Sequence, residues 1–217
     1  VVGQGAEAWL DRLLACKLPK PGRMTLAPML KEDGRLIGDF TLANIGREGR
    51  PGEWLILGSG VAEQYHMRWF EQHLPDDGSV AIEALGLKRV GLSIAGPRAR
   101  DVLAKVTRTD VSNAAFPFMA IRAMDIGMSP CLVGRVSYSG DLGYEIWMAP
   151  EYQRSVFHAL MSAGEAPGIR LFGSRALNAL RLEKNYGSWA REYRPIYGPL
   201  EAGLDRFVAY GKQADFI

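Results

Sequence analysis

Hydrophobic positions along the chain alternate between two periods, and the switches outline helices and strands in turn. Residues 5–16 place Trp9, Leu10, Leu13 and Leu14 on one stripe, the spacing of an amphipathic helix. Pro19 follows and cannot continue it. Extended apolar runs at Met24–Leu30, Leu36–Ile45 and Trp54–Leu57 predict three strands, parted by Glu32-Asp33-Gly34 and by Gly46–Gly52. Over 61–74, Tyr65 and Trp69 lie four apart beside Val61, which predicts a second helix. The plan then repeats. A strand at Arg89–Ala95 leads through Gly96-Pro97 into a helix over 98–106, with proline at its first turn. Strands are expected at Cys131–Ser139 and Leu142–Met148, followed by a helix near 152–163 that stops at Gly164. A helix over 174–186 carries Ala176, Leu177 and Leu180 as its stripe, and a last strand is expected at Arg206–Tyr210.

Gly3-x-x-Ala6-x-x-x-Leu10 recurs as Gly96-x-x-Ala99-x-x-x-Leu103, and the helix near 60 has a counterpart near 153. The chain therefore reads as a duplicated helix-plus-antiparallel-sheet unit, and the expected fold class is α+β. The first unit is expected over 1–86, completed by 168–217, and the second over 87–167.

Composition excludes several classes. With 217 residues, 47% hydrophobic and 23% charged, the chain reads as a globular protein that can bury a sizeable core. No apolar run approaches the ~18–20 residues of a membrane span. The formal net charge is +2 with signs interspersed, so no nucleic-acid footprint appears. Cys16 and Cys131 make no metal-ligand spacing with His66, His73 or His158; no metal is expected, and the histidines read as surface or packing residues. A reducing, cytoplasmic setting is the default. The start at Val1-Val2-Gly3-Gln4 shows no signal peptide, and the missing initiator Met is expected of a fragment or a processed chain.

Three stretches carry candidate chemistry. Gly3-Gln4-Gly5-Ala6-Glu7-Ala8 matches the dinucleotide fingerprint, but only two residues precede it and no acid closes a second strand about 20 residues on. A tight start to a helix explains it better. In Leu36–Leu42, alternation puts Ile37, Asp39 and Thr41 on one strand face. A carboxylate among apolar neighbours is costly unless paired, so Asp39 is either functional or lies on an edge strand in water or against a turn. Finally, Arg135–Ile146 reads as a β-hairpin whose symmetric pairing sets Tyr138 opposite Glu145, with Gly143 and Trp147 on the Glu145 side. A carboxylate beside aromatic rings suits a flat heterocycle with an N–H edge. Guanine, pterin and guanidinium ligands all meet that description, and so does a solvent-facing Glu on an edge hairpin.

Met29-Leu30-x4-Gly-x4-Asp39-Phe40-Thr41-Leu42 resembles the glycine cleavage T-protein (aminomethyltransferase) family. So do Ala95-Gly96-Pro97-x-Ala99-x3-Leu103, Tyr138-Ser-Gly-x-x-Gly-Tyr-Glu145, Leu180-Arg181-Leu182-Glu183-Lys184-x-Tyr186 and Pro199-Leu200-Glu201-Ala202-Gly203-Leu204. The likeness covers essentially the whole chain. It is especially similar to the folate-binding portion of dimethylglycine and sarcosine dehydrogenases. The resemblance implies antiparallel α/β units around a tetrahydrofolate, with a further C-terminal barrel domain lying beyond this chain. It implies that Asp39 is the catalytic acid beside the reactive folate nitrogens, that Tyr138 and Glu145 hold the pterin, and that Thr41 and Trp147 contribute by sharing their faces.

There are departures from the family pattern. T-proteins carry an Arg four residues before the Arg of the Arg-Leu-Glu motif, where this chain has Leu177; that favours the amine-dehydrogenase branch over an aminomethyl-lipoyl substrate. Lys184-Asn185-Tyr186-Gly187 lacks the cysteine of related iron–sulfur assembly proteins. The implied function is tetrahydrofolate-dependent capture of a one-carbon unit from a small N-methylated amine, with any FAD on an upstream domain or a partner oxidase subunit. The alternatives are a stand-alone aminomethyltransferase or methyltransferase, and a folate-binding regulatory module without turnover.

Overall fold

The computed structural model describes residues 1–46, 52–189 and 191–212. Most of the turn expected at Gly46–Gly52 therefore lies outside the described residues. The fold is α+β, with two antiparallel sheets. The chain divides into two compact units, Val1–Ala84 with Gly187–Ile217, and Leu85–Tyr186. The return to the first unit thus comes at Gly187, whereas the sequence placed it at 168. Residues 168–186 stay with the second unit through local ties: Ile169 packs on Gly164, and the Lys184 ammonium lies 3.8 Å from the Asp141 carboxylate.

The first unit opens with helix α1 (Ala6–Leu13), whose Trp9, Leu10 and Leu13 are buried, as the stripe predicts. The glycine at its start has a structural role. Gly3 has φ +133, and a Cβ there would overlap the Ser79 carbonyl, while Val2 and Ala81 exchange backbone hydrogen bonds of 2.9 and 2.8 Å. Close backbone approach, not a dinucleotide phosphate, accounts for the glycine motif. Strands β1 (Met24–Leu30), β2 (Leu36–Asn44) and β3 (Trp54–Leu57) form a meander in sequence order. Helix α2 (Glu63–Gln72) follows a short 3-10 turn, Gly60–Ala62. Leu10, Leu13, Phe40, Leu42, Trp54 and Phe70 share one core.

The Lys212 side chain fastens the returning segment to the end of α1. The Lys212 ammonium, 6% exposed, donates to the carbonyls of Asp11, Leu14 (2.9 Å) and Cys16 (3.2 Å) and lies 2.8 Å from the Asp11 carboxylate. Asp11 lies in the last turn of α1 and Leu14 caps it, so two of these carbonyls are ones that a helix C-terminus leaves without partners, where a cation is favoured. The strand expected at Arg206–Tyr210 does not form. Its place is taken by a 3-10 turn at Asp205–Phe207, and one bond from Ala209 N–H to the Ala15 carbonyl (2.8 Å) replaces a ladder.

In the second unit, β4 (Val90–Ala95), β5 (Ile121–Ile126), β6 (Ser129–Gly134) and β7 (Gly143–Met148) form a sheet in the order β4-β7-β6-β5. Helices α3 (Ala99–Val106) and α4 (Gln153–Gly164) pack on each other; α3 also touches β7 and α4 touches β4. β5 has no counterpart in the hydrophobic pattern because its apolar positions fall at 121, 124 and 126 without strict alternation. Gly127, at φ +60, closes the tight β5–β6 turn. Helix α5 (Ser174–Glu183) departs from expectation: Ala176 is exposed, Leu177 and Leu180 are half-buried, and Arg181 is its buried residue at 2% exposure. That guanidinium donates to Asn178 Oδ1 (2.9 Å) and to the Tyr186 carbonyl (2.7 Å), tying off the helix end. Among the described residues, no helix is long and apolar enough to cross a membrane.

Two substitutions test this packing by urea denaturation. Lys212→Met should cost about 1.5–3 kcal/mol, the range for hydrogen bonds to a charged group. Tyr144→Phe should stabilise by about 1 kcal/mol, because the fully buried Tyr144 hydroxyl has no hydrogen-bond partner and its ring already stacks on Phe116.

Candidate functional site

Asp39 leaves β2, the middle strand of the first sheet by order, but at its own position β2 pairs only with β1, so its other side is an open edge. Phe40 and Leu42 enter the core, while Asp39 and Thr41 stand half-buried on the other face. Pro28 lies opposite Asp39 on β1, and β3 reaches only to Thr41, whose partner there is Leu57. Ile37, expected beside Asp39, goes instead into the core with Phe40. The register steps at this point: Met29 faces Gly38 but Leu30 faces Leu36, which leaves Ile37 unmatched and turns its side chain over.

Glu145 also lies on an interior strand. β7 runs between β4 and β6, with Ser93 on one side of Glu145 and Gly134 on the other. Tyr144, Ile146 and Met148 are fully buried, whereas Glu145 and Trp147 are half-buried on the opposite face. Residues directly opposite in an antiparallel sheet share a face. Gly91 and Ser93 of β4, both exposed, therefore lie beside Trp147 and Glu145. The Trp147 indole lies against Gly91, 3.4 Å from where a Cβ would stand. Small neighbours keep the sheet surface low around the carboxylate. This floor was not legible in the sequence, because β4 meets β7 across more than forty residues of intervening chain.

Tyr138 does not face Glu145. β6 ends at Gly134, which is itself opposite Glu145, and residues 135–142 form a loop rather than a continuous hairpin. Serine hydroxyls divert the chain. Ser137 and Ser139 share a 2.7 Å hydrogen bond, Ser139 N–H donates to Ser137 Oγ (3.2 Å), and Asp141 N–H donates to Ser139 Oγ (3.4 Å). Gly140 holds φ +75 beneath the Lys184 stem, and a Cβ on Gly143 would lie 2.8 Å from the Ile94 carbonyl. Both glycines of the Tyr138–Glu145 motif thus have a steric cause. Tyr138 is 36% exposed in that loop.

Both carboxyls are perturbed for the same reason. Burial pushes Asp39 up to about 7, with its own backbone offsetting part of the effect. Burial alone pushes Glu145 up to about 7. Removing water disfavours the charged form, and among the described residues no cation lies near enough to restore it. Among the described residues neither side chain has a hydrogen bond or ion pair with another residue, and no three or more His, Cys, Asp and Glu gather to hold a metal ion. The pterin that the resemblance implies presents adjacent N–H donors on a flat ring. Glu145 offers two oxygens that other side chains leave unused, Trp147 an aromatic face, and Ser93 and Gly134 the room above the sheet. The residues fit the group.

The chain matches over residues 1–212 the family described as the GCVT N-terminal domain, and it belongs to that family. It is 36% identical over its full length to the mitochondrial dimethylglycine dehydrogenase of Homo sapiens, spanning 25% of that protein. It is 31% identical over its full length to an aminomethyltransferase of Chloroherpeton thalassium, spanning 58% of it. Its backbone matches the crystal structure of glycine cleavage system aminomethyltransferase T from Bartonella henselae with a TM-score of 0.82. That match has 22% identity and covers 96% of this chain and 54% of the other, which identifies the fold.

The raised midpoints make a stability prediction. A carboxyl with a folded midpoint near 7 and an unfolded one near 4 carries no penalty below about pH 4, where both states are protonated. The penalty grows as pH rises to about 7 and is complete above it. Asp39→Asn and Glu145→Gln should therefore each raise the melting temperature of the ligand-free chain at pH 8 and leave it nearly unchanged at pH 4.

Proposed function

We propose that the chain is the tetrahydrofolate-binding, one-carbon-transfer part of an enzyme acting on an N-methylated glycine of the dimethylglycine or sarcosine type. The observation that carries this reading is Glu145: a half-buried carboxylate on an interior strand, unpaired among the described residues and flanked by Trp147 and small residues. The name of the human relative points to the amine. When bound, tetrahydrofolate supplies the secondary nitrogens that take up the one-carbon unit, giving the methylene derivative. Glu145 would accept hydrogen bonds from the amino-pyrimidine edge beside Trp147, while Tyr138, in the 135–142 loop, is assigned to the pterin by the resemblance alone. By the resemblance, Asp39 is the acid that would stabilise positive charge as it develops at the reactive nitrogens and accept the released proton. Thr41, on the same strand face, borders Asp39. Amine oxidation belongs to a separate flavin-bearing domain or subunit. A second reading, a stand-alone aminomethyltransferase, is favoured by the full-length match to the Chloroherpeton protein, and Leu177 at the position of the T-protein arginine weighs against it.

Binding and turnover separate the two acids. An interaction equally good before and during reaction sets affinity, whereas one made only in the transition state sets rate. Glu145→Ala should cost about 1.5–3 kcal/mol of tetrahydrofolate affinity by calorimetry. Asp39→Asn should bind about as well and lose one-carbon transfer by ~10²-fold or more. Full turnover in Asp39→Asn, or unchanged affinity in Glu145→Ala, would reverse the assignment. Because Glu145 must ionise to accept N–H donors, wild-type affinity should fall about tenfold per pH unit well below pH 7. A pH-independent affinity across 5.5–7.5 would contradict this.

A further inference from the structure

His66 occupies an unusual place for an imidazole. It is 3% exposed on α2, and its Nε2 has no hydrogen-bond partner. Aromatic rings surround it: Phe40 edge-on at 4.8 Å, Trp189 edge-on at 4.9 Å and Tyr65 at 5.4 Å. Burial lowers its pKa to about 4, so the ring is neutral near pH 7, and the Ile37 backbone partly opposes that shift. A neutral ring with an unsatisfied nitrogen costs free energy that phenylalanine would not. Its surroundings offer a compensating role.

The ring abuts β2 at the residues where the strand is irregular. Nε2 is 3.3 Å from the point where a Cβ on Gly38 would stand, and the Phe40 ring would overlap the same Cβ. Ile37, whose backbone acts on the imidazole, is the residue left unmatched by β1. A bulge disrupts the ladder locally, and the backbone groups it frees need partners. An imidazole can serve such a group; a phenyl ring cannot.

We propose that His66 is a positioning residue for Asp39: wedged against Gly38 and Phe40, its imidazole fixes the irregular step of β2 at Ile37 and so the direction and burial of the carboxylate that follows. The inference rests on the reading of Asp39 as the proton-accepting group. His66 touches neither substrate nor the reacting atoms in this scheme. It acts through the strand, from the core side of the sheet, while Asp39 stands on the other face.

The test has a readout that needs no ligand. In the ligand-free chain, a ¹³C-carboxyl NMR titration should place the Asp39 midpoint near 7. In His66→Phe, which keeps the ring but not its nitrogens, the midpoint should fall by about one unit or more towards the ordinary carboxylate value near 4. Tetrahydrofolate affinity should stay within about threefold, since Glu145 is untouched, while kcat for transfer falls about tenfold or more, as misplacement of a reacting group requires. His66→Gln, whose amide can still serve the Ile37 backbone, should restore most of both. Should His66→Phe fail to fold, Gly38→Ala drives a methyl into the same contact and should move the same midpoint with His66 intact. A folded variant at either position with a wild-type Asp39 midpoint and wild-type kcat overturns the proposal. If instead Asp39→Asn keeps full transfer, the parent reading fails whatever the His66 variants do, so the two failures are distinguishable.

Discussion

Removing water from a carboxylate costs free energy that a neighbouring cation ordinarily offsets, and neither Asp39 nor Glu145 has such a neighbour among the described residues. Glu145 is flanked by strands on both sides, and Asp39 stands on the middle strand just past the end of β3. Their outward faces are open enough to leave the side chains half-buried rather than sealed. The remaining structure is arranged around holding these two groups in that intermediate state. Full burial would neutralise them at any physiological pH, and full exposure would return them to ordinary surface acids.

The devices that achieve this differ between the units. In the second, small residues make the setting. Ser93 and Gly134 flank Glu145 without covering it, Gly91 gives the Trp147 indole a place to lie, and the inward residues Tyr144, Ile146 and Met148 anchor β7 from beneath. In the first, an irregular strand makes it. The unmatched Ile37 lets Leu36 join a core with Leu30, Leu204 and Val208, while Ile37 and Phe40 join another with Leu10 and Phe70. One strand thus serves two cores on either side of the step, and Asp39 emerges just after it. The returning segment supplies Leu204 and Val208 and, through Lys212, holds the end of α1.

Local patterning carried most of the elements. β1, β3 and β7 stand at or within a residue of their expected bounds, and the placing of Asp39 with Thr41 and of Glu145 with Trp147 follows from alternation. What was not legible depended on non-local pairing or on side chains competing for the backbone. The strand order that puts β7 inside the sheet cannot be read from any window of sequence. The stretch 135–142 has the pattern of a hairpin but loops, because the Ser137 and Ser139 hydroxyls bind nearby backbone N–H groups. β5 shows no regular period because Arg122 and Ala123 are both exposed between Ile121 and Met124, and the apolar stripe of α5 is not its buried face because a buried arginine, not leucine, anchors that helix.

On the proposed reading, one physical perturbation has opposite consequences at the two acids. A midpoint near 7 leaves Glu145 protonated about half the time at pH 7, and a binding group that is competent half the time loses about twofold in apparent affinity. For Glu145 the shift is a small cost of standing on an interior strand beside an indole. For Asp39 it is an asset. A proton acceptor works best when its own midpoint lies near the ambient pH, since it must be ionised before the reaction and able to hold the proton after it. A carboxylate with an ordinary midpoint near 4 would be ionised but a poor acceptor, and one buried completely would be a good acceptor but rarely ionised. The half-buried face of β2 lies between these limits. The division of labour between the two acids therefore follows from what each is asked to do with the same loss of water, rather than from any difference in how strongly the fold perturbs them.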